Sequence, residues 1–265
     1  MSQDPTISER FGVPLVNLHG LDFLNVDEPR CVELLIDEAR AGRGGWVVTP
    51  NTDIVRHCDH DPELREMVRS ADVRIADGMP LVWASHVQRT PLRGRVCGSD
   101  LMYSIPESAA PAGLSLFLLG GKDGSEEQTA RILQARHPAL KISGTYSPEF
   151  GFEKDPANFA VIEDKIREAD PNFVFVALGF PKGERLIHRI RDCVPKAWWL
   201  GVGAAFDFVS GSIKRAPGWM QDTGTEWVYR ISQDPKRLAE RYLVHDLPFA
   251  ATLFSRSIKR RFGKG

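Results

Sequence analysis

No apolar run in this chain approaches the length of about 18 residues that a bilayer span needs, so no transmembrane helix is expected. The start, Met1-Ser2-Gln3-Asp4-Pro5-Thr6, has no basic stretch followed by an apolar one, so no signal peptide is expected either. The cysteines, Cys31, Cys58, Cys97 and Cys193, are scattered, with no C-x-x-C pair. That spacing fits free thiols in a reducing compartment and argues against a disulfide framework or a zinc site. The 23 glycines and 18 prolines are too few, in 265 residues, for a low-complexity or collagen-like chain. Three motifs are also missing: a G-x-S-x-G elbow, H-E-x-x-H, and a G-x-x-x-x-G-K-[ST] loop. Without a G-x-G-x-x-G turn and an acidic residue about 20 positions on, a dinucleotide-dependent oxidoreductase has little support.

What is present is an ordinary globular composition, 42% hydrophobic and 26% charged, long enough for a full core. The net charge of −1 hides an asymmetry. From Lys214 onward there are 11 basic and 5 acidic residues, and the last ten residues hold five basic side chains and no acidic ones. A basic tail on an acidic body suits an anionic surface; the alternative is a solvated terminus.

The first 200 or so residues alternate between two periods. Helical spacing covers Pro29 to Ala41, Asp61 to Ser70, Phe159 to Ala169 and Pro181 to Arg191. A further helix should start at Ser125, where Ser125 to Gln128 fits a capping box. Strand signals cover Trp46 to Thr49, Val73 to Ala76, Leu114 to Leu119, Lys141 to Thr145, Phe173 to Leu178 and Ala197 to Val202. Continuous apolar strands between helices imply a parallel sheet covered on both faces. The fold class is therefore α/β, Rossmann-like, with helices flanking the sheet. Near Gly211 the composition turns basic and aromatic and strand signals stop. The chain thus divides into a core, 1–210, and a helical basic C-terminal appendage, 211–265. In the appendage Leu247, Ala250, Phe254, Ile258 and Phe262 recur at three- and four-residue steps among arginines and lysines. That is the pattern of a helix lying in a membrane interface, or of one packed on the protein or between subunits of a homo-oligomer.

In a parallel α/β sheet, ligands sit beyond the carboxyl ends of the strands. Four loops qualify, and each candidate residue has two readings. Asp77 is a general base or a helix cap. Thr49 and Asn51, two apart, are pocket groups or turn residues. Gly120 and Gly121 approach a phosphate or simply form a turn before a helix. The fourth loop, Gly179 to Lys182, is rich in glycine and proline. Asp59-His60-Asp61 has D-x-D metal spacing, but Asp61-Pro62-Glu63-Leu64 is also a good helix start, with Asp as cap and Pro at the first turn. No metal site is expected.

Taken together, several segments resemble the WecG/TagA/CpsF family of bacterial glycosyltransferases. They are Thr49-Pro50-Asn51, Asp61 to Arg65, Ala76-Asp77-Gly78-Met79-Pro80, Arg95 to Asp100, Gly179-Phe180-Pro181-Lys182 and Gly203 to Asp207. Further on, Arg215-Ala216-Pro217, Glu226-Trp227-Val228-Tyr229-Arg230 and Arg237 to Tyr242 continue the match. The resemblance runs from about Thr49 to Tyr242. It implies an inverting, metal-independent enzyme without a cofactor, on a Rossmann-like core. The substrates it implies are a UDP-sugar donor and a polyprenyl-diphosphate-linked acceptor, feeding cell-surface polysaccharide. It implies peripheral attachment at the cytoplasmic face of the membrane, an anionic surface as partner, and no nucleic acid. By motif, Asp77 corresponds to the family's proposed base, Thr49 and Asn51 to polar pocket residues, and Arg95 to a pocket arginine. Lys182 falls in the family's G-x-P-K motif, and Arg215 and Arg230 match appendage arginines thought to meet diphosphate. One position departs: Gly183 stands where the family usually has Gln after the G-x-P-K. That departure keeps a non-catalytic, membrane-associated nucleotide-sugar-binding subunit as the alternative.

Overall fold

The structure, a computed structural model, describes residues 7–122 and 124–263. Met1 to Thr6, Asp123 of the glycine loop, and the tail's Lys264 and Gly265 lie outside the described residues. A short helix α1 (Ile7–Phe11) and an antiparallel hairpin, β1 (Leu15–Leu18) and β2 (Leu21–Leu24), precede α2 (Glu28–Arg40). The main alternation follows: β3 (Gly45–Val48), α3 (Thr52–His60), α4 (Pro62–Arg69), β4 (Val73–Arg74), α5 (Met79–Gln88), α6 (Gly98–Ala112) and β5 (Ser115–Gly120). It continues through α7 (Ser125–Arg136), β6 (Lys141–Tyr146), α8 (Ala157–Ala169), β7 (Phe173–Ala177), α9 (Lys182–Ile190), β8 (Trp198–Gly201) and α10 (Ala205–Ser210). Beyond it lie α11 (Gly218–Asp222), α12 (Glu226–Gln233), α13 (Pro235–Ala239), wide π-helical turns over Glu240–Asp246, and α14 (Leu247–Arg261).

The six strands β3 to β8 form one parallel sheet in the order β4-β3-β8-β7-β5-β6. Successive side chains of a strand point to opposite faces, so a continuous apolar strand feeds two cores. Val47, Leu116, Leu118, Phe173, Phe175, Trp198 and Leu200 pack on one side with α2, α6 and α10. Trp46, Val48, Phe117, Leu119, Val174, Val176 and Trp199 pack on the other with α3, α4, α8, α9 and α14. The connections part at β3: α3 and α4 lead outward to β4, while β8 lies on the other flank. Loops leaving β3 and β4 therefore open into one crevice at the sheet's carboxyl edge.

Besides the β1–β2 hairpin and the short helices α1 and α10, three longer core helices were not anticipated. The α6 segment contains Pro106 and Pro111, which read as breakers. In α5 apolar residues surround the helix and blur its period. The α3 segment is polar, with Asn51 as its cap. The capping box expected at Ser125 does not form. Gly124 holds the cap position with φ +77°, and Ser125, the first helical residue, accepts through its hydroxyl from the Lys122 N–H at 2.9 Å. Gln128 instead donates to the Ser210 carbonyl at 3.3 Å. Asp61 does cap α4, accepting from the Glu63 and Leu64 N–H groups at 2.9 and 3.1 Å.

The last helix packs on the protein with part of each face. Phe249 and Leu253 are buried, while Leu247, Ile258 and Phe262 are exposed. Two basic side chains are also tied to the body. Arg256 bridges to Asp59 at 3.2 Å, and Asp59 further holds His19 at 2.9 Å and Arg65 at 2.8 Å. Arg260 donates to the Asn17 carbonyl at 3.2 Å. His19, in the hairpin turn with φ +53°, meets the Phe249 ring edge-on at 5.1 Å. The D-x-D aspartate Asp59 thus serves to seat α14. No helix among the described residues is long and apolar enough to cross a membrane. Leu253→Ala should destabilise the protein by about 3 kcal/mol, read from its urea midpoint. An unchanged midpoint would mean α14 is not part of the core.

Candidate active site

Burial dictates the site at the end of β4. The chain emerges at Asp77, whose N–H donates to the Pro50 carbonyl at 3.0 Å, so the β3 and β4 loops are stitched together. Gly78 follows with φ +133°, a backbone that side-chain-bearing residues rarely adopt. It is Gly78 that holds the cap position of α5, with no side-chain cap bond. Asp77 therefore does not cap that helix, and its carboxyl faces a cavity of about 200 Å³ instead. The Val96 N–H donates to the Ala76 carbonyl at 2.9 Å and brings Arg95 and Cys97 alongside. The Cys97 thiol lies beside the Asp77 carboxyl. Burial pushes the Asp77 carboxyl up to about 6, against the opposing pull of that thiol and of Arg95.

The other wall is built by the appendage. Glu226 and Arg230 on α12, and Arg241, Tyr242 and Asp246 in the π-helical turns, line the same cavity. Wide turns of this kind re-aim side chains that a regular helix would carry elsewhere. Ion pairs join the two walls. Arg95 meets Glu226 at 3.2 Å and Asp100 at 3.5 Å, and Asp100 also pairs with Arg215. Arg241 meets Asp53 at 3.1 Å and Asp246 at 3.6 Å, and Arg56 joins the same two carboxylates at 2.7 and 3.7 Å. Burial and the neighbouring Asp53 charge push Asp246 up to about 6. Arg230 stacks over the Phe208 ring at 5.8 Å.

Of the residues picked out from sequence, Asn51, Asp77, Arg95 and Arg230 line this cavity together. Asn51 also caps α3 through Oδ1, which accepts from the Ile54 N–H at 3.0 Å. Its two readings are thus compatible, the amide nitrogen remaining as donor. The others lie apart from the lining. Thr49 is buried at the end of β3 behind Gly98, where an added Cβ would sit 3.4 Å from its Oγ1. Gly120 and Gly121, at φ +90° and +94°, serve close packing: a Cβ at Gly120 would meet the Ala177 carbonyl at 2.9 Å, and one at Gly121 would strike the Ser125 hydroxyl. Lys182 pairs with Glu153 at 2.9 Å and lies over the Phe150 and Phe152 rings. Arg215 reaches the site through Asp100 rather than from the lining. At Gly183 an added Cβ would make ordinary contacts of 3.6 and 3.8 Å with Val176 and Leu178, so packing does not demand glycine there.

Sequence reasoning missed Asp53, Glu226, Arg241 and Asp246 as lining residues. Glu226 and Arg241 fell inside the matched segments; Asp246 carried no local signal. A buried carboxyl outside the cavity was missed as well. Glu184 on α9 is 6% exposed, and burial pushes it up to about 7.

A parallel α/β sheet with a carboxylate and converging arginines at its carboxyl edge defines an enzyme that handles an anionic substrate. The chain belongs to the glycosyl transferase WecG/TagA/CpsF family, whose family model matches residues 16–263. It is similar to the N-acetylglucosaminyldiphosphoundecaprenol N-acetyl-beta-D-mannosaminyltransferase of Bacillus spizizenii, 34% identical over 195 residues, or 74% of each chain. It is 30% identical over 225 residues to the protein of the same name from Bacillus subtilis (strain 168), covering 85% of this chain and 83% of that one.

The raised Glu184 carboxyl has a consequence for stability. Its folded-state value of about 7 exceeds the ordinary 4.5, so the folded state holds its proton longer. Stability is then greatest below the unfolded value and falls as pH rises through the folded one. Glu184→Gln should raise the melting temperature at pH 8 and flatten its decline between pH 4.5 and 8. A variant with the wild-type slope would show that Glu184 does not titrate in that range.

Proposed function

We propose that the protein transfers a sugar, with inversion, from a UDP-sugar to a polyprenyl-diphosphate-linked saccharide in cell-surface polysaccharide synthesis. The observation that carries this reading is one cavity holding Asp77 together with Arg95, Arg230 and Arg241. Family membership and that carboxylate favour a catalyst over a non-catalytic binding subunit. Residues 1–210 act as the catalytic core and 211–265 as the appendage that completes the site. From the relatives' names, the donor sugar is N-acetylmannosamine and the acceptor carries N-acetylglucosamine on an undecaprenyl diphosphate.

Inverting transfer needs one base to take the proton of the acceptor hydroxyl as its oxygen attacks the anomeric carbon. Asp77 fills that role, and with a value of about 6 it is ionised at neutral pH yet basic enough to accept a proton. UDP departs as an anion, so no carboxylic acid partner is needed on the leaving side, unlike in glycoside hydrolysis. The diphosphate gathers charge as it leaves, and arginines meet that charge with paired hydrogen bonds. Arg95 and Arg230 are the residues for this, with Arg215 acting through Asp100, and transfer proceeds without a divalent metal. Displacement on an α-linked donor yields a β-glycoside, the anomer in the relatives' names. Thr49 supports the strand end, Asn51 offers its amide to the substrate, and Gly120, Gly121 and Lys182 shape the neighbouring loops.

The acceptor lipid stays in the bilayer, so the enzyme works at the inner membrane face. Exposed Leu243, Val244, Leu247, Ile258 and Phe262, beside Lys259 and Arg261, form the surface that meets it.

Asp77→Asn should lower acceptor-dependent UDP release by about 10²- to 10⁴-fold. In the wild type, kcat/KM should fall tenfold per pH unit below about pH 6, where Asp77 takes up its proton. Undiminished turnover in the variant would remove Asp77 from the chemistry. Excess EDTA should leave the rate unchanged; loss restored by Mg²⁺ or Mn²⁺ would refute the arginine-only account.

A further inference from the structure

Two of the arginines lining the cavity, Arg95 and Arg241, are engaged by carboxylates in the structure. The partners of Arg95 differ in how they are held. Asp100 stands in the first turn of α6, a helix with seven buried residues, and is clamped between Arg95 and Arg215. Glu226 is the first residue of α12, a helix that buries none of its residues and starts without a side-chain cap. A segment with so little buried surface belongs to the low-stability end of a fold. Glu226 nonetheless reaches across the seam to Arg95 at 3.2 Å, with the two side chains only 17% and 16% exposed.

The charge balance makes this contact consequential. The cavity lining, together with the groups ion-paired to it, carries five acidic and five basic side chains. Those charges cancel before any substrate arrives. A nucleoside diphosphate adds two or more negative charges to a poorly solvated space, where like charges repel strongly. A guanidinium fork meets one bidentate anion at a time on a given edge. The carboxylate able to withdraw is the one on the lightly held helix.

We propose that Glu226 is a positioning residue, holding Arg95 at the cavity wall until an anionic oxygen of a nucleoside diphosphate takes its place. The exchange keeps the guanidinium oriented throughout and ties movement of α12 to occupancy of the site. This rests on the reading of the cavity as a nucleoside-diphosphate site, so the test separates the two.

Full-length wild type, Glu226→Gln and Glu226→Ala are titrated with UDP by calorimetry in the presence of EDTA. With the competing carboxylate removed, both variants should bind UDP about five- to tenfold more tightly than wild type. A residue that merely braced the fold would weaken binding on removal. Wild type that binds UDP, with both variants binding it no more tightly, overturns the exchange and leaves the site reading intact. UDP binding by none of the three proteins overturns the site reading and the exchange together. Should the glutamine variant fail to show a cooperative melt, the alanine variant carries the same comparison.

Discussion

Charge must balance inside the seam between the parallel sheet and the C-terminal helices, because water is scarce there and an unpaired ion is costly. The structure meets this constraint by pairing across the seam. The core supplies Asp53, Arg56, Asp77, Arg95 and Asp100, a net −1, and the appendage supplies Arg215, Glu226, Arg230, Arg241 and Asp246, a net +1. Neither wall balances its charge alone. Docking of the appendage is therefore an electrostatic requirement of the site as well as a steric one.

The same scarcity of water sets the chemistry. A carboxyl in bulk solvent is too weak a base to draw a proton from a sugar hydroxyl efficiently. Burial raises Asp77 to about 6, while Arg95 and the Cys97 thiol keep the rise moderate. The backbone makes that environment possible, since the Asp77 N–H and the Ala76 carbonyl are both bonded to neighbouring loops. The backbone that carries the carboxyl cannot shift without breaking the join between the β3 and β4 loops.

The appendage joins two kinds of surface. Its inward side carries the charged side chains of the cavity together with Phe249 and Leu253, which pack into the core beneath α14. Leu243 and Leu247 line the open part of the cavity, and Ile258 and Phe262 are exposed further along the tail. The apolar period read along the tail mixes these groups, since one helix serves both surfaces. Arg256 and Arg260 are likewise drawn to Asp59 and Asn17 on the body, so they do not belong to an open basic face.

Local chemistry in the sequence was enough to determine the parallel sheet, because apolar strands such as Phe173 to Val176 are continuous only when both faces are covered. It also marked Asp77, Asn51, Arg95 and Arg230, which lie in strand-end loops or in segments with family spacing. Tertiary structure alone decided which candidates meet. Gly120 and Gly121 look like a phosphate loop in sequence; in the structure they lie apart from the cavity lining, and a Cβ at either would crowd Ala177 or Ser125. Asp246 has no signature along the chain, and it lines the cavity from the end of the π-helical turns that also carry Arg241. Glu226 and Arg95 stand 131 positions apart, and their pairing at 3.2 Å exists only once the appendage closes over the sheet. Residue type and spacing record what a segment does by itself; which charges must neutralise one another depends on burial, and burial is settled when distant segments pack.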